Sequence, residues 1–230
     1  MAKQNILLLI VITALMIAPG ACFAQKIIKA AIKTTQHTIV IDPGHGGTNN
    51  GIVTSSGLKE KNIVLKLAKK TAQKLESRYN VFLTRTQDID IPPRERIFIT
   101  NKNSADLYLC IHLNHASKPS GFFYYFDSPE SDRQLISTAG NTWKSQYLFF
   151  QSKSKQAVNS FLNIFSTHKK TDYFSSKGAP IMPLEGATMP AILIEPLSIS
   201  LLARHPGAIE NILDEYALLI SKSIDLYFKK

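Results

Sequence analysis

The chain has 230 residues, 44% of them apolar and 19% charged, with 11 Gly and 11 Pro. That balance supplies one substantial hydrophobic core and excludes a disordered, collagen-like or coiled-coil chain. The formal charge of +10 points to anionic partners such as cell wall or membrane surface. No nucleic-acid-binding motif accompanies it, so no nucleic-acid partner is expected.

The first stretch reads as a targeting segment. Lys3 precedes an apolar run from Ile6 to Ile17, which Pro19-Gly20 breaks before the small residue Ala24. The run is short for a bilayer span, and the pattern is that of a signal peptide over residues 1–24, cut between Ala24 and Gln25. An uncleaved anchor and a lipoprotein cut ahead of Cys22 are the alternatives, although Pro19 stands where lipoprotein sites usually carry Leu. The expected location is therefore outside the cytoplasm, in the periplasm or at the wall. Cys22 and Cys110 are the two cysteines; loss of the first leaves Cys110 without a partner, so no disulfide is expected.

Residues 25–37 form a basic lead-in with Lys26, Lys29 and Lys33, and one catalytic domain is expected over 38–230. Thr38 to Ile41 is a β-branched apolar run that ends at Asp42-Pro43-Gly44-His45-Gly46-Gly47, a buried strand followed by a loop. Lys61 to Ser77 carries Val64, Leu67, Ala68, Thr71, Ala72 and Leu75 at helical spacing. Val81 to Thr84 is a second strand. Pro92-Pro93 opens a short helix over Arg94–Asn101, and Leu107–Leu113 is a third strand, apolar except for His112. In Phe122–Phe126, alternation places Phe122, Tyr124 and Phe126 on one face, a pattern more usual for core than for a sugar platform. Helices are expected near Ser131–Trp143 and Ser154–Phe165. Ala191–Ile194 is a buried strand ending at Glu195, and Pro206 opens a last helix with its stripe on Ile209, Ile212, Leu213, Tyr216, Ile220 and Ile224. Strands apolar on both faces, alternating with amphipathic helices, define an α/β sandwich with a mostly parallel central sheet flanked by helices.

Open α/β sheets carry their sites at the carboxyl ends of the strands. His45, His112 and Glu195 stand at such ends, and Glu60 stands just before the first long helix. Two His and one carboxylate with an open position form the pattern of a catalytic zinc site, for which a second carboxylate would be the general base. Each residue alone has a plain reading: His112 as a satisfied core histidine, Glu60 as a favourable charge in a helix's first turn.

Together the stretches match a family. Ile39-Val40-Ile41-Asp42-Pro43-Gly44-His45-Gly46-Gly47, Gly57-Leu58-Lys59-Glu60-Lys61-Asn62, Leu83-Thr84-Arg85, Ile111-His112-Leu113-Asn114 and Pro190-Ala191-Ile192-Leu193-Ile194-Glu195 occur in order. The chain thereby resembles the zinc-dependent N-acetylmuramoyl-L-alanine amidases, the family 3 cell-wall amidases, from about Thr38 to the final helix. The resemblance implies Zn²⁺ on His45, Glu60 and His112, a catalytic Glu195, and hydrolysis of the amide bond between N-acetylmuramic acid and L-alanine in peptidoglycan. It also leaves room for an unidentified activator protein. Asn114 is a candidate substrate contact or loop anchor, Arg85 is expected to pair within the fold, and His115 to face solvent. Two departures stand out. Asn49 occupies a position where the family usually has Asp, and Pro196-Leu197-Ser198-Ile199-Ser200 replaces the usual Gly-Phe and Ser-Asn after the catalytic Glu. The stretch from Phe126 to Ala191 also looks too short for the helical insertion that blocks the site in some cell-division members. The alternatives are a zinc peptidase acting on stem peptides and a non-catalytic wall-binding protein on the same fold.

Overall fold

The computed structural model describes residues 36–128, 146–169, 173–202 and 205–229. The expected signal segment, nearly all of the expected basic lead-in and the helix expected near Ser131–Trp143 lie outside these residues. Six strands form one sheet in the order β2-β1-β3-β6-β4-β5: β1 (Thr38–Pro43), β2 (Asn80–Leu83), β3 (Leu107–Ile111), β4 (Gly121–Phe126), β5 (Phe174–Ala179) and β6 (Ala191–Glu195). The helices are α1 (Glu60–Leu75), α2 (Pro93–Lys102), α3 (Gln146–Lys169) and α4 (Pro206–Phe228).

The central strands are apolar on both sides because both sheet faces are covered. All five residues of β3 are buried. On one face, α1, α3 and α4 bury their stripes: Val64, Leu67 and Leu75 from α1, Val158, Phe161 and Phe165 from α3, and Leu213, Ile220 and Ile224 from α4 meet Ile39, Ile41, Leu109 and Ile192. Each such side chain taken fully from water contributes about 1.5–3 kcal/mol. On the other face a smaller core gathers Val40, Tyr108, Cys110 and Leu193, with Ile97 of α2 and Leu184 of a 3-10 turn (Met182–Leu184) packed over it.

The pairings β2–β1, β1–β3, β3–β6 and β4–β5 are parallel, while β4 runs antiparallel to β6. One reversal within the sheet brings the start of β4 to the carboxyl end of β6. Strand β5 is absent from the sequence-based expectation. It is an edge strand of polar and small residues, Phe-Ser-Ser-Lys-Gly-Ala, that pairs with β4 alone and is nowhere fully buried, so it carries no apolar run to betray it. Helix α3 begins eight residues ahead of the expected Ser154, because its first two turns expose Phe149 and lack a clean stripe.

Candidate metal centre

The carboxyl ends of β1, β3 and β6 lie side by side, with Pro43 paired to Ile111 and Ile111 to Ile194. His45 follows β1 in the left-handed region, at φ 60, a conformation that costs an L-residue roughly 1–2 kcal/mol. Two glycines make room for the rings. A Cβ on Gly44 would meet the His112 ring at 2.4 Å, and one on Gly51 would meet Glu60 Oε2 and the His45 ring at 2.6 Å.

Three side chains converge there. His45 Nε2 lies 3.1 Å from Glu60 Oε1, His112 Nδ1 lies 3.2 Å from the same oxygen, and the two ring nitrogens are 3.0 Å apart. Tetrahedral zinc with bonds of about 2.0–2.1 Å separates its ligands by about 3.3 Å, so the donor set fits that ion. Glu60 opens α1, where the helix dipole favours negative charge. Its Oε2 accepts from Ile52 N at 2.9 Å, and its Oε1 from Leu113 N at 3.0 Å. Burial pushes the Glu60 carboxyl up, but hydrogen bonds from His112, His45 and those two amides outweigh it and hold the group well below the usual carboxylate range. Asn49 Oδ1 stands 3.0 Å from His45 Nδ1 and also accepts from Gly51 N. An amide oxygen can only accept, so Asn49 favours a proton on Nδ1, the tautomer whose Nε2 would be free for a metal in place of its contact with Glu60.

Glu195 ends β6 beside this group. His112 N donates to Ile194 O at 2.9 Å, which ties the two strand ends together. The Glu195 carboxyl makes no hydrogen bond to a described residue. Burial first, then the negative charge of Glu60, push it up to about 7.

Beneath the loop lies a second layer of charge. Asp42, 1% exposed, receives Arg96 Nη1 at 2.7 Å, Tyr108 OH at 2.8 Å and the Thr84 hydroxyl. Arg96 also donates to Pro43 O and His45 O, and Arg85 to Pro43 O, Gly44 O and Lys61 O. Two buried guanidinium groups thus hold three successive carbonyls of the His45 loop. Arg85 pairs within the fold as expected, though with carbonyls. Arg96 and the orienting role of Asn49 had no signal beyond their residue types. Arg96→Met should leave the buried Asp42 carboxyl without its paired cation, lowering stability by about 3–5 kcal/mol. A denaturation midpoint equal to wild type would show that Asp42 is balanced without Arg96.

The loop that departs from the family pattern is well seated. Ser198 Oγ bonds Ala116 N and O, Asn114 N donates to Leu197 O, and Ile199 N donates to Asn114 O. The Asn114 side chain spends its donors on Ser120 O and Glu195 O, which places it as an anchor between the two loops. His115 is exposed.

This architecture is the fold of cell-wall amidases: it superimposes on the N-acetylmuramoyl-L-alanine amidase of Clostridium difficile 630 with a TM-score of 0.67 at 24% identity, covering 86% of this chain and 99% of that one. The chain belongs to the N-acetylmuramoyl-L-alanine amidase family, whose profile matches residues 39–203. It is 41% identical over 83 residues to the N-acetylmuramoyl-L-alanine amidase AmiC of Neisseria meningitidis, covering 36% of this chain and 20% of that protein. It is 31% identical over 161 residues to the endolysin of Bacillus phage SPP1, covering 69% of this chain and 54% of the endolysin. The chain thus spans between a fifth and about half of these relatives.

Proposed function

We propose that the protein hydrolyses the amide bond joining the lactyl group of N-acetylmuramic acid to L-alanine in peptidoglycan. The observation that carries this is the meeting of His45, Glu60 and His112 at the carboxyl edge of the sheet, with Glu195 beside them, in a chain of the amidase family. His45, Glu60 and His112 would hold Zn²⁺. When bound, that ion supplies a Lewis acid that polarises the scissile carbonyl and brings the pKa of water down to roughly 7. Glu195 takes the proton of the attacking water and returns it to the departing L-alanine nitrogen. Burial and the charge of Glu60 push this carboxyl up in the metal-free site, and its place beside the cluster puts it within reach of the water's proton. Glu60 stays ionised because its amide and ring partners stabilise the charged form, and Asn49 keeps the His45 ring in one tautomer.

Digestion of purified peptidoglycan tests the reading. The expected products are peptides with a free amino-terminal alanine and uncut glycan strands. Release of single carboxy-terminal residues would make the protein a peptidase, and no release would make it a wall-binding protein. The protein acts outside the cytoplasm, its targeting segment removed after Ala24. Amino-terminal sequencing of the exported chain should read Gln25, whereas a modified Cys22 would make it a lipoprotein and an intact Met1 an anchored protein. A partner protein that activates it is compatible with the family. One solved amidase of this fold, CwlD of Clostridioides difficile, is in complex with the GerS lipoprotein.

A further inference from the structure

The reversed strand β4 carries aromatic residues that the two cores cover only in part. Its inward residue Phe123 is fully buried among Phe161, Phe165 and Phe174. Its neighbours Phe122 and Tyr124 point to the opposite face. Phe122 belongs to neither hydrophobic core, and Tyr124, partly buried, packs against the smaller one. Both are half-buried. Their rings are stacked, with centroids 6.3 Å apart and planes inclined by 27°.

Sheet register says what they adjoin. Phe122 is paired with Glu195 on one side and with Ser175 on the other; Tyr124 is paired with Leu193 and Lys177. Paired residues share a face, so Glu195, Phe122 and Ser175 form one row across the sheet and Leu193, Tyr124 and Lys177 the next. Ser175 and Lys177 are exposed, and Lys177 has no acidic partner among the described residues. The rows form a ledge that starts at Glu195, crosses two aromatic rings and ends at a hydroxyl and an ammonium group. Burial, then the charge of Glu195, raise the Tyr124 hydroxyl, in keeping with the closeness of ring and carboxylate.

We propose that Phe122 and Tyr124 are a stacking platform for an N-acetylated saccharide ring of the glycan strand, with Ser175 and Lys177 hydrogen-bonding its hydroxyl and acetamido oxygens. This rests on the amidase reading for its substrate, though not for its geometry. A pyranose ring offers a flat face of C–H groups, which suits a pair of nearly parallel aromatic rings, and a polar rim that suits Ser and Lys. A short stem peptide offers no such flat apolar face. Because the ledge begins opposite Glu195, a ring seated on it stays within reach of the bond being cut.

The test is titration with chitotetraose, an uncharged N-acetylglucosamine tetramer that has neither lactyl group nor peptide, followed by NMR of the aromatic resonances. Wild type should bind it saturably in the millimolar range, with or without zinc, and His115→Ala, at an exposed residue away from the ledge, should bind it equally. Phe122→Ala should weaken binding at least tenfold, Phe122→Leu should do the same while keeping apolar volume, and Phe122→Tyr should restore it. On polymeric peptidoglycan, Phe122→Leu should raise KM and leave kcat close to wild type. No saturable binding by wild type, or equal binding by Phe122→Leu, overturns the platform. Shifts at Phe122 and Tyr124 with an isolated stem peptide but not with chitotetraose would reassign the ledge to the peptide. If the oligosaccharide binds through Phe122 and no muramoyl amide is cut, the platform stands and the amidase reading falls. If the amide is cut and no saccharide binds, the platform alone falls.

Discussion

His45→Ala and His112→Ala are each expected to release zinc and abolish amide hydrolysis. The wild-type chain should hold about one zinc, and each variant should hold close to none when dialysed and assayed by metal analysis. The reason is geometric. The donor atoms of His45, Glu60 and His112 all lie within 4.8 Å of one another, and a catalytic zinc has three protein ligands with none to spare. The loss should exceed the roughly 10–100-fold that removal of an orienting partner costs, and Asn49→Ala should fall in that milder range. His115→Ala, which alters an exposed histidine three residues from His112, serves as the control and should keep its metal. A His45 or His112 variant with stoichiometric zinc would remove that residue from the ligand set.

Glu195→Gln is expected to cost about 10²–10⁴-fold in rate, as removal of a general base does, while leaving zinc content unchanged. Wild-type turnover by this variant would end the proposed mechanism. Its effect on the metal-free protein runs the other way. The Glu195 carboxyl ionises at about 7 in the fold against 4.5 for an unperturbed group. The folded state therefore holds a proton that the unfolded chain has already lost, and stability falls as pH rises from about 4.5 through 7. Glutamine has no such dependence. Above pH 7 the metal-free variant should be the more stable of the two, by about 1–2 kcal/mol after allowance for the partial solvation of the site. Below about pH 4 that advantage should vanish. Chemical denaturation of both proteins at pH 4 and pH 8, with chelator present, measures the difference. An equal gap at the two pH values would mean that Glu195 ionises normally.

Long apolar patterns and strand-end chemistry were readable in the chain. Val64, Leu67 and Leu75 announced α1, and Ile209, Leu213, Ile220 and Ile224 announced α4, because each stripe faces one continuous core. His45, Glu60 and His112, whose donor atoms the fold brings together, stood out with Glu195 in the sequence because each sits where a buried strand or a helix begins or stops. Other features left no trace. Strand β5 is half-solvated along its length, so neither face needed apolar residues. The antiparallel setting of β4 is a matter of which neighbour it meets, which Phe122–Phe126 alone does not encode. Arg96 and Arg85 spend their donors largely on backbone carbonyls, and a carbonyl belongs to every residue, so no partner residue type pointed to them. The loop after Glu195 reads as a family departure, yet Leu197, Ser198 and Ile199 are buried there, and that packing was invisible until Asn114 and Ala116 were in place.

The buried carboxylate of Asp42 also bears on how the protein comes together. Its four partners arrive from three places: Arg96 from α2, Thr84 from beyond β2, Tyr108 and Cys110 from β3. None of these segments can satisfy it alone, and an ionised carboxylate left without partners in a dry interior is costly. An intermediate with β1 and β3 docked but α2 still loose would bury that charge uncompensated, and such a state should be sparsely populated. The loop that carries His45 hangs from the same knot. Closure of the sheet and assembly of the edge that carries His45, Glu60 and His112 are therefore expected to be coupled, so that these three side chains would meet only in a chain that has finished folding.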